Sequence, residues 1–566
     1  MNTLPNLIVQ YILEHLLKKS DKLIYYVDFI RYYTLISKQW NREIIPKLRL
    51  GNITIHTGNR IPIIKKWAHL VNRFDIQHTI SIYYFEKLRE WTDMIKENIT
   101  SIAQYPKSNF SLDDHNYFKN INTVKLAINL NYETFKSDLF VPIDNVEYEC
   151  TLIGHETQLD DLKHDQDLPV VMFNQNFFKS INLYDVTLKH RMPLGKPPIL
   201  NTKLLHLKIN DGAIHHNIIN SIFENCGNLE TLHLTNVVVV ESPVPDVDCL
   251  CQVVQNARFS SLKQLVLRIV NPIHFTTIVS LLNNISVSQA TLDFRDILYD
   301  SIEQVLTSQI TNTTIRKMEF VKNTFKPNVK ELEYFSFADI WTDKSHLTKI
   351  RIHKCFDYSG YLSEMVRLKS IEIHENNTKV NQTAQDTLEA AIKLNIPPLK
   401  SIRIVSINYT TSRLQISSKI LKFNNHITSV VLNGISLQDC YDIINSDHPS
   451  LTKLCVYYLV FSDSSCRDFN KLLIPIQSNR NMKYLALHGT EWGNFNYNIF
   501  DFLISILKLN SNYIQLIVPE KGGYQDQHLL SFKQILKSNT TIKQLGTFDK
   551  LPEKLSTLFH IHSIKY

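Results

Sequence analysis

Leu229-Glu230-Thr231-Leu232-His233-Leu234-Thr235-Asn236-Val237-Val238-Val239-Val240 is the stretch that decides the fold. Leu229, Leu232 and Leu234 stand in the order apolar-x-x-apolar-x-apolar, and Val237 and Val239 follow. Leu232 and Leu234 are two residues apart, which puts both on one side of a short strand, facing a core. Leu204-x-x-Leu207-x-Ile209, followed by Ile214, repeats the arrangement. First anchors of the copies are Phe178, Leu204, Leu229, Leu262, a weak copy at Leu292 and Phe294, then Ile315, Leu347, Leu368, Leu399, Ile427, Leu451, Met482, Tyr513 and Ile542. They recur about every 28 residues. A unit this small cannot bury its own hydrophobic edge, so each must stack on the next.

The segments between triplets carry a different period. Ile218, Ile219, Ile222 and Phe223 fall on one helical face, as do Ile278, Leu281 and Leu282, and Ile499, Phe502, Leu503, Ile506 and Leu507. Strand, turn and helix at this repeat length resemble leucine-rich repeats of the longer kind. The expected fold class is α/β, a leucine-rich-repeat solenoid over residues 178–566, a horseshoe with parallel strands inside and helices outside. Residues 51–177 read as degenerate early repeats or a joining region, from Ile63 to Leu70, Val124-x-Leu126-x-Ile128 and Val170 to Phe173. The acidic stretch Asp160 to Asp167 reads as a surface loop.

Composition narrows the function. With 44% apolar and 20% charged residues over 566, the chain reads as soluble and folded. Met-Asn-Thr-Leu-Pro is no secretory leader, and no apolar run is long enough to span a bilayer. The expected location is the cytoplasm, with the nucleus as the other choice and no membrane partner. Eight scattered cysteines fit free thiols in a reducing compartment. A net charge of +7 is too dilute to imply nucleic acid, and none is expected as a partner. Only 13 glycines leave little material for phosphate-cradling loops. Cys249-x-Cys251 lacks the second pair that structural zinc needs. His215-His216 and His560-x-His562 read as surface or capping histidines. The expectation is a non-enzyme with no catalytic residue, metal or cofactor.

Residues 1–50 form an apolar three-helix unit. Leu4-Pro5 opens it, proline suiting a first helical turn, and Ile8, Ile12 and Leu16 make one stripe with Val9 and Leu13 beside it. A second apolar helix is expected from about Leu23 to Ile36. Ser37-Lys38-Gln39-Trp40-Asn41 and a short helix ending before Pro46 follow. So small and apolar a unit must pack on something. Leu-Pro, the doubled apolar pair, the four-residue steps and Ile-Ser-Lys-x-Trp resemble an F-box. An F-box followed by irregular leucine-rich repeats is similar to the amoebal F-box/LRR-like family and to substrate receptors of SCF-type ubiquitin ligases. The resemblance implies that Leu4, Pro5, Ile8, Val9, Ile12 and Leu16 dock on a Skp-type linker joined to a cullin scaffold. Ile36, Ser37 and Trp40 would match the closing motif, and the repeats would hold an unknown client protein. The same helices also fit a plain end cap, as terminal repeats require. The chain would then be a stand-alone binding or inhibitory protein with no ubiquitin role.

The inner face of the repeat is the other candidate surface. Arg268, Arg295, Arg351, His353 and Arg403 stand between strand anchors, and arginine suits bidentate binding of carboxylates or phosphates. Two readings stand side by side. One is a cationic groove for an acidic or phosphorylated segment; the other is solvated charge, partly cancelled by Asp293, Glu319 and Glu372. Later positions, Val431, Cys455, Tyr457, Tyr484 and Ile517, turn apolar and aromatic, which suits contact with a protein.

Overall fold

The computed structural model describes residues 27, 38–55, 61–74, 77–83, 99–104, 120–129, 146–153, 173, 177–188, 201–240, 250–251, 254, 261–320, 324–333, 335–353, 358–375, 382–406, 416, 418–460, 468–489, 497–548 and 551–566. Two compact units divide the chain, Met1–Asn271 and Pro272–Tyr566.

The first unit holds β1 (Arg49–Ile55), β2 (Gln77–Tyr83), β3 (Ile99–Gln104), β4 (Thr123–Asn129), β5 (Glu147–Ile153), β6 (Phe178–Tyr184), β7 (Thr187–Leu188), β8 (His206–His215), β9 (Thr231–Val240) and β10 (Gln264–Ile269). β1 to β6 pair in parallel in chain order, β6 passes to β8, and β9 and β10 continue the sheet. The two-residue β7 pairs with the later half of β8. Among the described residues the ladder is therefore in place from Arg49, long before the triplet becomes legible at Phe178. In β5 the inward positions are Tyr148, Cys150 and Leu152, all fully buried, so period two survives where the leucines do not.

The deciding stretch behaves as its spacing demands. Leu229, Leu232, Leu234 and Val239 are fully buried and Val237 nearly so. Three residues separate Leu234 from Val237, which would turn Val237 outward in a regular strand. Asn236 absorbs the extra residue by taking φ 53°, and Asp211 beside it on β8 takes φ 51°. Both are side chains that tolerate the left-handed region. Asn236 Nδ2 donates to Asp211 Oδ1 at 2.7 Å, so the two bends hold each other.

The second unit holds β11 (Ile273–His274), β12 (Gln289–Phe294), β13 (Asp296–Leu298), β14 (Lys317–Phe320), β15 (Thr324–Lys326), β16 (Lys349–His353), β17 (Ser370–Glu375), β18 (Ser401–Ser406), β19 (Ser429–Ser436), β20 (Lys453–Val460), β21 (Tyr484–Leu487), β22 (Gln515–Ile517) and β23 (Gln544–Leu545). β12, β14 and β16 to β23 form a parallel sheet in that order. β11, β13 and β15 form a second, smaller one. From β14 onward each large-sheet strand begins two residues after its first anchor, and those anchors are 0–2% exposed. Each such burial stabilises by about 1.5–3 kcal/mol, and only the neighbouring unit can supply it. This is the α/β leucine-rich-repeat fold: one parallel strand per unit, with helices or turns between.

The expected helices are present at His216–Asn225, Phe275–Asn284 and Ile499–Leu509, each burying the named apolar face. His215 caps the first of them, its Nδ1 accepting from the Asn217 amide. Helices are not universal. Between β15 and β16 only a turn of 3-10 helix stands, Lys330–Leu332. Phenylalanines fill the layer instead: Phe275 lies 6.2, 5.8 and 6.0 Å from the rings of Phe325, Phe335 and Phe337.

A polar column completes several of the units. Asn201, Asn312, Asn424, Asn479, Asn510 and Asn539 each stand three residues before a first anchor, and all are buried. Each Oδ1 accepts from the amide two residues ahead. In five the amide of the anchor itself also donates. Asn312 Nδ2 donates to the Leu282 and Ile285 carbonyls of the preceding unit, both at 2.7 Å, and Asn479 does the same to Ile444. His448 takes the place before Leu451, with Nδ1 facing the Ser450 and Leu451 amides and Nε2 the Leu421 and Asn424 carbonyls. Turn groups that water cannot reach are thereby satisfied.

At the N-terminus the described part is a helix, Lys38–Glu43, and a 3-10 turn, Ile45–Lys47, that carries Pro46. Trp40 is half-buried and its carbonyl accepts from the Ile44 amide. Leu4, Pro5, Ile8, Val9, Ile12, Leu16, Ile36 and Ser37 lie outside the described residues, as does the Asp160 to Asp167 stretch.

Candidate binding face

In the second unit, period two turns alternate side chains away from the core. Backbone register sets Thr291, Glu319, Arg351, Glu372, Arg403, Val431, Cys455, Ala486 and Ile517 side by side in one row, strand after strand. Its chemistry changes along its length, from charged to apolar.

At the charged end Arg351 lies between two carboxylates, 2.9 Å from Glu319 and 3.2 Å from Glu372. Glu372 also meets His374 at 2.7 Å and Lys349 at 3.5 Å, and Thr291 donates to Glu319. The His374 hydrogen bond, with the charges of Arg351 and Lys349, lowers the Glu372 carboxyl to about 2 against the desolvation that opposes it. Arg351 is therefore committed within the protein. Because the folded state holds Glu372 below its unfolded value, its contribution is complete above about pH 4.5 and fades as pH falls towards 2. Glu372→Gln should remove about 1–2 kcal/mol at neutral pH, with allowance for solvent screening, and flatten the acid limb. Urea midpoints of both proteins between pH 6 and pH 2 check this; parallel curves would show that the network adds nothing.

The other expected residues divide. Arg403 stands in the row, exposed and in no ion pair among the described residues. Arg295 is off the row, because the triplet of β12 is Val287, Ala290 and Leu292, which puts Thr291 in the row and leaves Arg295 past the end of the strand, in the turn before β13. Arg268 is exposed on β10 of the first unit, opposite Thr235. His353 ends β16 opposite His374, with its side chain outside the described residues.

The apolar end is a small cluster in which Val431 packs against buried Cys455, Ala486 and Ile517. Tyr457, 37% exposed, stacks on His488 with centroids 5.6 Å apart. Tyr484 is half-buried, opposite Lys453 and Gln515. Burial pushes the Cys455 thiol up and the His488 imidazole down, so both are neutral at pH 7. The surface thus offers a charged flank, one exposed guanidinium and an apolar floor beside an aromatic ring, the mixture of a protein-contact surface.

Among the described residues no group of three or more histidine, cysteine or acidic side chains is placed to hold a metal. No described helix is long and apolar enough to cross a membrane. Cys150, Cys226, Cys440 and Cys455 are buried free thiols; burial raises Cys226 to about 11 and Cys440 to about 12.

No family model matches the chain, and no curated protein does. Among solved structures, the Drosophila Toll–Spatzle complex aligns with 86% of this chain at a TM-score of 0.32 and 10% identity, and the match spans 58% of that chain.

Proposed function

We propose that this protein is a non-enzymatic binding protein that holds a client protein on the strand face of its repeats. The observation that carries the reading is the row from Glu319 to Ile517, in register across eight strands and graded from charged to apolar. A face of this kind presents many side chains from a rigid frame, which lowers the ordering cost of binding. The finer reading makes it a substrate receptor of an SCF-type ubiquitin ligase. Leu4, Pro5, Ile8, Val9, Ile12, Leu16, Ile36 and Trp40 engage a Skp-type linker, and the client is brought near a reactive centre that other subunits supply. The F-box resemblance of residues 1–50 supports it.

A pulldown from cytosol with wild type and the Ile8→Asp, Ile12→Asp variant tests the proposal. Wild type should recover a Skp-type linker and a cullin, and the variant should lose both while keeping the client. Recovery of neither by wild type would leave a stand-alone repeat binder whose N-terminal helices are a cap.

A further inference from the structure

Beside the outward row runs a second column, one residue before the strands. In the second unit it comprises Ser288, Arg316, Thr348, Lys369, Lys400, Thr428, Thr452, Lys483, Ile514 and Lys543. From Arg316 onward each amide donates to the carbonyl of the member before it, at 2.6–3.0 Å. The column is therefore a continuation of the β ladder, and its members are spaced about 4.8 Å apart. Five of them are cations, none is an acid, and all five side chains are exposed. None of the five makes an ion pair among the described residues, and the acids of the neighbouring row, Glu319 and Glu372, are taken up by Arg351.

The first unit has the same column with the opposite solution. There it runs Lys179, Leu205, Glu230 and Lys263, joined amide to carbonyl in the same way. Lys179 pairs with Glu147 and Lys263 with Glu230, each at 2.7 Å. The same backbone position is neutralised in one unit and left positive in the other. Like charges held on one ladder repel, a cost that a bound anion removes.

We propose that this edge of the second unit, Arg316 to Lys543, docks a carboxylate-rich extended segment of the client protein. The inference rests on the client-binding reading and names the client's chemistry. Lysine dominates, as point charges on long stems, and the intervening members are hydroxyl residues and Ile514, without an aromatic ring. The hydroxyls of Thr348, Thr428 and Thr452 are spent on backbone carbonyls. A single-stranded nucleic acid groove interleaves its cations with rings on which bases stack, and this column offers none. A line of cations one residue wide suits one extended chain. The Ser370, Ser401 and Ser429 hydroxyls alongside, and the apolar floor beyond, suit its remaining groups.

The test uses the full chain and a fluorescein-labelled oligo-glutamate of about 14 residues, enough to follow the column. The edge variant is Lys369→Gln, Lys400→Gln, Lys483→Gln, Lys543→Gln. The control is Lys422→Gln, Lys508→Gln, Lys537→Gln, Lys554→Gln, equal in net charge and exposed elsewhere. Wild type should bind, the edge variant should lose at least about tenfold in affinity, and the control should change by less than about twofold. Equal losses in the two variants, or no binding by wild type, would overturn the inference. So would an oligothymidylate of equal charge that binds more tightly than the oligo-glutamate. A client recovered from cytosol equally by wild type and edge variant would sink this inference and leave the client-binding reading standing. A wild-type chain that recovers no client would sink the reading itself.

Discussion

Phe275→Ala is expected to destabilise the unit Pro272–Tyr566 by about 3–5 kcal/mol, the range for emptying a buried aromatic site. Phe275 is fully buried at the start of its helix and touches Phe325, Phe335 and Phe337. Those three rings close on one another as well, Phe325 and Phe335 at 5.3 Å and Phe335 and Phe337 at 5.8 Å. Loss of the central ring leaves a cavity that turns cannot collapse into as a sliding helix would, because the segment is tied to β15 on one side and β16 on the other. Phe275→Leu keeps most of the volume and should cost less than half as much. Urea midpoints for the three proteins decide it. A loss below about 1 kcal/mol in the alanine variant would mean that the four rings do not form a packed core.

The second large effect belongs to the polar column. Asn312→Ala strands two amides, Thr314 and Ile315, and two carbonyls, Leu282 and Ile285, at a site 6% exposed. Leaving buried polar groups without partners costs about 1–3 kcal/mol each, so a total of about 3–4 kcal/mol is expected once the backbone relaxes. Thr313→Ala, one residue away and exposed, should fall within about 0.5 kcal/mol of wild type. Hydrogen exchange should show the asparagine variant opening first at Leu282 to Ile315. Uniform protection in both variants would show that the side chain is not what joins the two units of the repeat.

The strand positions were legible in the sequence because the triplet sets both register and face, and every first anchor from Ile315 to Ile542 is buried where its spacing puts it. The early strands were not, because Tyr148 and Cys150 hold the inward positions of β5 and break the leucine signature while keeping its period. The asparagine column was readable and was missed: the unit is Asn-x-x-apolar-x-x-apolar-x-apolar, visible at Asn201, Asn312, Asn424, Asn479 and Asn510. Their fixed distance from the anchor makes those residues structural. Arg295 lies four residues past the row position of its strand, Thr291, since Ala290 serves as an inward anchor and is too small to be recognised as one. The positive edge was hidden because net charge averages it away, and because the same column is neutral in the first unit.

The outward row and the positive column both depend on the register of the second sheet, and a cysteine-pair experiment measures it directly. Ser401 and Ser429 stand opposite each other on adjacent strands, and Ser370 and Ser429 are separated by the strand between them. Neighbouring strands about 4.8 Å apart permit a disulfide, and twice that distance does not. Mild oxidation of Ser401→Cys, Ser429→Cys should give the new disulfide by peptide mass, and Ser370→Cys, Ser429→Cys should give none. A disulfide in the second pair, or none in the first, would contradict the register and with it the row, the column and the binding surface built on them.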